Sequence, residues 1–281
     1  MSKIERSWDG FLWCIREGFP DINVLRNIEY SVLKLFTLLG QKDKTFVDVG
    51  AHVGYYSIRM SKLYGRVIAI EPNPYSIECL KRNIELNNAY NVEVIPVACG
   101  DKDEELMLAG LRAWAYISSG TGEIRVQVKR LDGLVEHADV LKIDVEGFEE
   151  QVIRGSLNLI SKCKPVIVIE HHDLMGFNIP DANKRIKNIL KDYGYRRFNL
   201  DDIRYAYVHE DQLSKLSKNI ISMLIIRHWF SKMLHNILDG RPWYYGLPYT
   251  WWHGMTILDV LENLPEHLTE EIEWFEKIKD D

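Results

Sequence analysis

The sequence predicts an α/β protein built around an open, doubly wound sheet, and two observations predict it. Short β-branched runs bounded by turn residues recur along the chain, and segments with helical spacing separate them. Runs that are apolar on both faces belong in a parallel sheet covered on both sides. Their alternation with helices is the mark of the doubly wound class.

The strand candidates, in order, are Val47–Val49, Val67–Ile70, Val92–Val97, Val140–Ile143 and Val166–Ile169, with a last one at Ile220–Ile226. Between the second and third, "YSIECLKRNIELNN" places Ile77, Leu80 and Ile84 three or four residues apart. "IKNILKDY" repeats the spacing with Ile186, Ile189, Leu190 and Tyr193. Residues 104–130 interrupt the alternation with "EELMLAG", "AYISS" and "IRVQVKRL", which read as a small β insertion. The expected organisation is an N-terminal helical segment at 1–40, a main domain at 41–228 and an acidic, Trp-rich extension at 229–281. No internal repeat or low-complexity stretch interrupts it.

Charge and composition exclude several classes. The net charge of −6 lies wholly in residues 229–281, which hold ten acids and four bases. An acidic end is a poor partner for a phosphate backbone. The densest basic stretch, "KRIKNILKDYGYRR", reads more simply as a solvated helix face, so no nucleic-acid partner is expected. The four cysteines, Cys14, Cys79, Cys99 and Cys163, form no CxxC pair, which removes the common zinc spacing and any evident disulfide framework. "IISMLII" is too short to span a bilayer. With no leader-like apolar run in "MSKIERSWDGFLW", a cytoplasmic protein is expected.

The chemistry starts at "FVDVGAHVGYYSIRM". Gly50 and Gly54 fall at the turn after the first strand, where glycine allows a positive φ and close approach of a ligand. A turn that merely needs glycine would look the same. Glu71 closes the next strand in "RVIAIEPNP", at the spacing of an acid that accepts both hydroxyls of a ribose. There is no GxxxxGK[ST], the turn is GxxxG rather than GxGxxG, and it holds no Lys or Arg for a pyrophosphate. Asp48, on the strand before it, suits a ligand with positive charge. S-adenosylmethionine, with ammonium and sulfonium groups beside a ribose, meets these conditions.

Five blocks carry a resemblance: "FVDVGAHVGYYS", "VIAIEPNPYSIECLKRNIELNN", "VACGDKD", "RLDGL" and "DVLKIDVEGFEEQVIRG". In this order and spacing the chain resembles the FkbM-type S-adenosylmethionine-dependent methyltransferases over about residues 45–172. His52 stands where asparagine is common in them. The resemblance implies a Rossmann-like class I methyltransferase fold, a seven-stranded, mostly parallel sheet with an antiparallel last strand. It implies methylation of a hydroxyl, on a small molecule or glycan. By it, Gly50 and Gly54, with Asp48 and His52 in the same block, would line the methionine part, and Glu71 and Asn73 the ribose. Ala98 and Asp101 would lie near the adenine, at the end of the third strand, and Asp144 near the methionine end or the reaction centre.

A hydroxyl nucleophile also needs its proton removed. Two strand-end loops supply candidates, Asp144 and Glu146 in "KIDVEGFE", and Glu170, His171, His172 and Asp173 in "IVIEHHD". His171 and Glu146 are the favoured bases. Glu146 could instead serve a helix start, and one of two adjacent histidines must point away if the strand continues through them. A divalent metal, Mg2+ for instance, on Asp144, Glu170 and His171 is a further reading. The turn after the fourth strand, "IDVEG", lacks the proline-rich form that accepts a nucleobase amine. The aromatic tail "RPWYYGLPYTWWHGM" and Trp114 read as an acceptor lid or as a homodimer interface. Two other functions stay open: an adenosylmethionine-binding module without catalysis, and methylation of RNA or protein.

Overall fold

The structure is a computed structural model that describes residues 2–16, 25, 29–109, 116–118, 122, 124–172, 181–201, 203–222 and 224. Trp114, Asp173 and the extension 229–281 lie outside the described residues.

The chain opens with a hairpin, β1 (Ser2–Arg6) and β2 (Leu12–Arg16), paired antiparallel. Among the described residues of the segment expected to be helical, the α-helix is α1 (Tyr30–Leu39), and the hairpin departs from the expectation. The correction has a local cause: Asp9-Gly10 sits between two short strand-forming runs, and Gly10 takes φ +91°. β3 (Thr45–Val49), α2 (Tyr55–Met60), β4 (Arg66–Ile70), α3 (Pro74–Leu86) and β5 (Val92–Ile95) follow as alternating units. The third strand ends earlier than Val97, because Pro96 has no N–H to continue the ladder. β6 (Ala98–Cys99) therefore leaves the main sheet and joins β7 (Glu104–Ala109), β8 (Tyr116–Ser118) and β9 (Ile124–Lys129) in a four-stranded sheet.

The main sheet resumes with β10 (Val140–Ile143), α4 (Glu149–Arg154), α5 (Leu157–Cys163) and β11 (Val166–Glu170). It closes with α6 (Ala182–Asp192), β12 (Tyr195–Asn199) and β13 (Arg204–His209), with α7 (Glu210–Leu213) after it. Its seven strands run β12-β13-β11-β10-β3-β4-β5, and the last in sequence, β13, is antiparallel to both neighbours. This is the Rossmann-like class I methyltransferase fold. Where a strand is expected at Ile220–Ile226, the described residues 218–222 and 224 are helical. Leu216, Ile220, Ile221 and Leu224 are all buried, and that spacing is helical rather than alternating.

Alternate residues of each strand feed two cores. Phe46, Val67, Ala69 and Val140 pack with α1, α2, α3 and Trp13 of the hairpin. Val47, Val49, Ile68, Leu141 and Ile143 pack with α4, α5 and α6. Strands covered on both faces need this pattern. β10 has one exception to its apolar run, Lys142, which is 5% exposed. Among the described residues no helix is long and apolar enough to cross a membrane.

Candidate active site

The site is built at the carboxyl ends of β3, β4, β10 and β11, where the order of an α/β sheet reverses. The turn after β3 is knit to β4, because the N–H groups of Gly50 and Ala51 both donate to the carbonyl of Ile70. Gly50 has φ +80° and Gly54 φ +95°. A Cβ on Gly50 would lie 1.7 Å from the carbonyl oxygen of Asp144, so glycine here lets β3 and β10 close together. Gly54 fits against Leu80 of α3. His52 and Glu146 are non-glycine residues with φ +49° and +53°, and both stand in these strand-end loops. Backbone strain of this kind gathers at functional sites.

Glu71 ends β4 with its carboxylate clamped: the N–H of His52 donates to Oε2 and that of Asn73 to Oε1, both at 2.8 Å. Burial pushes its carboxyl up to about 7, against those two hydrogen bonds. Asn73 caps α3, accepting from the N–H of Tyr75. Ala98 is buried in β6 and Asp101 is exposed in the turn after it, so both belong to the edge of the second sheet rather than to the end of β5. Phe148, from the loop after β10, packs into the same cluster as Ala98.

Asp48 does not face outward for a cationic ligand. It is fully buried, accepts from the hydroxyl of Ser57 at 2.6 Å and lies 3.3 Å from the ammonium of Lys142. Lys142 is the residue that sequence reasoning missed, although a lysine in a wholly buried strand is itself a signal. Its Nζ donates to the carbonyl of Gly50 at 3.1 Å and pairs with Asp144 Oδ2 at 3.2 Å. Burial works against its charge, but Asp144 and Asp48 prevail and hold the ammonium above the usual lysine range. Asp144 is held low in turn: burial works against its charge, but Lys142, His172 and Arg204 together outweigh it.

His172, not His171, meets the acids. His171 turns its Nε2 to the hydroxyl of Tyr207 at 3.1 Å and stacks edge-on to Tyr205, and burial drives its imidazole down to about 3. A buried ring engaged with β13 is not placed to take a substrate proton. The chain turns just past the end of β11, and the next side chain points to the other side. His172 Nδ1 lies 2.7 Å from Glu149 Oε1 and Nε2 3.2 Å from Glu146 Oε2. Burial disfavours its charge, yet the bonds to Glu146 and Glu149 prevail and raise the imidazole to about 11. It is therefore an imidazolium near neutrality. Glu146 is pushed up by burial, and Glu170 likewise despite the guanidinium of Arg204. Arg204, on β13, reaches Glu170 Oε2 at 2.7 Å, Asp201 at 3.1 Å and Glu29 at 3.3 Å. The metal reading likewise moves from His171 to His172, whose Nε2 lies 3.7 Å from Asp144 Oδ1 and 3.9 Å from Glu170 Oε1.

The family described as "Methyltransferase FkbM domain" matches residues 48–197, more than half of the chain. The chain belongs to this FkbM methyltransferase family. The match takes in the glycine turn, Glu71, the loops after β10 and β11, and most of β12. The FkbM-family chain is 26% identical over 185 residues to the hexuronic acid methyltransferase AglP of Haloferax volcanii, across 62% of this chain and 74% of that protein. It is 27% identical over 145 residues to Methyltransferase 1 of Beauveria bassiana, across 40% of this chain and 58% of that one. Among solved structures, the methyltransferase FkbM of Methylobacillus flagellatus aligns at 21% identity with a TM-score of 0.42, over 59% of this chain and 44% of that one.

Proposed function

We propose that the protein is an S-adenosylmethionine-dependent methyltransferase acting on a hydroxyl of a small molecule or glycan. The observation that carries this is the clamped carboxylate of Glu71 at the end of β4, beside the Gly50–Gly54 turn. Each of its oxygens spends one lone pair on a backbone N–H, which fixes the carboxylate and leaves capacity for two ribose hydroxyls. When bound, S-adenosylmethionine supplies a methyl carbon activated by its sulfonium. The Gly50–Gly54 turn and Asp144 would hold its amino-acid end, and Glu71 with Asn73 its ribose.

The rest of the chemistry belongs to the protein's own groups. Alignment of the hydroxyl with the methyl and exclusion of water are the main requirements. The acceptor's proton goes to Glu146, which is 18% exposed where His172 is 2% exposed. His172 already carries a proton and cannot take another; it holds Glu146 in place and balances its charge. A sugar acceptor is in keeping with the relative named as a hexuronic acid methyltransferase.

Calorimetric titration with S-adenosylmethionine, S-adenosylhomocysteine and NAD tests the reading. The adenosyl ligands should bind, and Glu71→Ala should weaken them roughly ten- to a hundredfold. Binding of NAD alone, or affinity indifferent to Glu71, would sink the assignment.

A further inference from the structure

Three side chains at the ends of β10 and β11 converge on one point: Asp144, Glu170 and His172 each bring one ligand atom within 4.8 Å of the other two. Two of the distances are 3.7 Å, from His172 Nε2 to Asp144, and 3.9 Å, from His172 Nε2 to Glu170. From these contacts we infer that the three residues form a binding site for one divalent transition-metal ion of the manganese or zinc type.

What separates this from a chance gathering of acids is how each residue is held from behind, by a residue outside the triad. Lys142 pairs with Asp144 through Oδ2 and leaves Oδ1 facing the point of convergence. Arg204, two strand orders away in sequence on β13, takes Glu170 through Oε2 and leaves Oε1. Glu149, at the start of α4, holds Nδ1 of His172, while Nε2 faces Glu146 at 3.2 Å, Asp144 at 3.7 Å and Glu170 at 3.9 Å. A carboxylate on the far nitrogen of a ligating histidine fixes its ring and tautomer and raises its basicity. The site thus has three oriented near atoms, each backed by a different element of the fold.

The donor set chooses the ion. Magnesium prefers an all-oxygen octahedron, whereas two carboxylates and an imidazole suit manganese, iron or zinc. An ion there would take the place of the Nε2 proton of His172, which leaves to solvent, and Glu146, 3.2 Å from Nε2, would serve as a fourth ligand or as the proton acceptor. The site's existence does not depend on the reaction proposed above; only its use in transfer does.

The test is titration of the full chain with Mn2+ alone, with no adenosyl ligand or acceptor, following the loss of the free-ion electron paramagnetic resonance signal. One ion should bind per chain, Zn2+ should displace it, and Mg2+ should do so poorly. Glu170→Gln and His172→Asn should abolish that binding, with circular dichroism and melting curves reporting that each variant folds. Glu149→Gln should weaken it about ten- to a hundredfold, the usual effect of losing an outer hydrogen-bond partner of a ligand. Asp103→Asn, an exposed carboxylate on the second sheet, should leave it unchanged. No signal loss with the wild type at millimolar ion, or equal affinity in wild type, Glu170→Gln and His172→Asn, overturns the proposal. Calorimetry with the adenosyl ligands stays independent of either result.

Discussion

A methyl group added at Gly50 has nowhere to go, since the carbonyl oxygen of Asp144 sits 1.7 Å from where it would be. The obstacle is backbone, and the φ of +80° adds strain for any side chain. At Gly54 the obstacle is the Cδ1 of Leu80 at 2.6 Å, the end of a side chain that can shift. Gly50→Ala is therefore expected to cost roughly 3–5 kcal/mol, and Gly54→Ala roughly 1–3 kcal/mol. Chemical denaturation of the two variants reads the difference, and equal costs would mean that the β3–β10 approach is looser than the structure has it. The need for glycine at both positions is legible in the sequence; which neighbour enforces it is not, because Asp144 is remote along the chain. The two histidines show the same limit. A run of apolar residues on both faces gives no parity, and β11 ends at Glu170, so it is the turn after the strand that brings His172 to the acids.

Among the elements, α3 does the most to bind the chain's beginning to its site. Asn83 accepts from the N–H of Cys14 at 2.7 Å and donates to the carbonyl of Val53 at 2.8 Å. Asn87 accepts from the N–H of Leu12 at 2.9 Å and donates to its carbonyl at 2.7 Å. The free edge of β2 thus finds its partners in two side chains one helical turn apart, and through Asn83 the hairpin and the glycine turn share one anchor. Asn83→Ala leaves two backbone groups without partners in a buried setting and should cost about 2–4 kcal/mol. Asn87, half-buried, should cost about 1 kcal/mol on the same change. Thermal melts of both variants check the order; an equal loss would mean that water replaces Asn83. Most other elements could be read from pattern, since covered parallel strands are β-branched and the helices carry their apolar spacing. The hairpin had its signal too, in Asp9-Gly10, but the helix-capable residues after it drew attention from the short strands.

For the molecule as a whole, ligand, proton and folding are one linked equilibrium. Glu71 is raised to about 7 in the folded chain, above its ordinary value of 4.5. Between those two values the folded state keeps a proton that the unfolded state has lost, so this residue's contribution to stability falls as pH rises through that window. A ribose whose hydroxyls donate to Glu71 needs it ionised, so affinity for S-adenosylhomocysteine should rise as pH rises through about 7. The rise in melting temperature that the ligand gives should accordingly widen from pH 6 towards about pH 8 in the wild type and stay flat in Glu71→Gln. A gap constant with pH in the wild type would show that Glu71 does not titrate there. Long-range charge pairing was the least legible level of all. Beyond Asp201 three residues before it, nothing near Arg204 in the sequence announces that its guanidinium also answers acids from two other segments, Glu29 and Glu170. That pairing bears on how the protein is made. A ribosome delivers the chain from its N-terminus, and the half of the site formed by the glycine turn and Glu71 leaves the exit tunnel well before the other half is complete. Arg204 comes last, on the strand that slides between β11 and β12. Until it emerges, a nascent chain holds Glu170 without its counter-charge and β11 with an open edge, so the closing of the sheet and the neutralising of its acids are a single late event in synthesis.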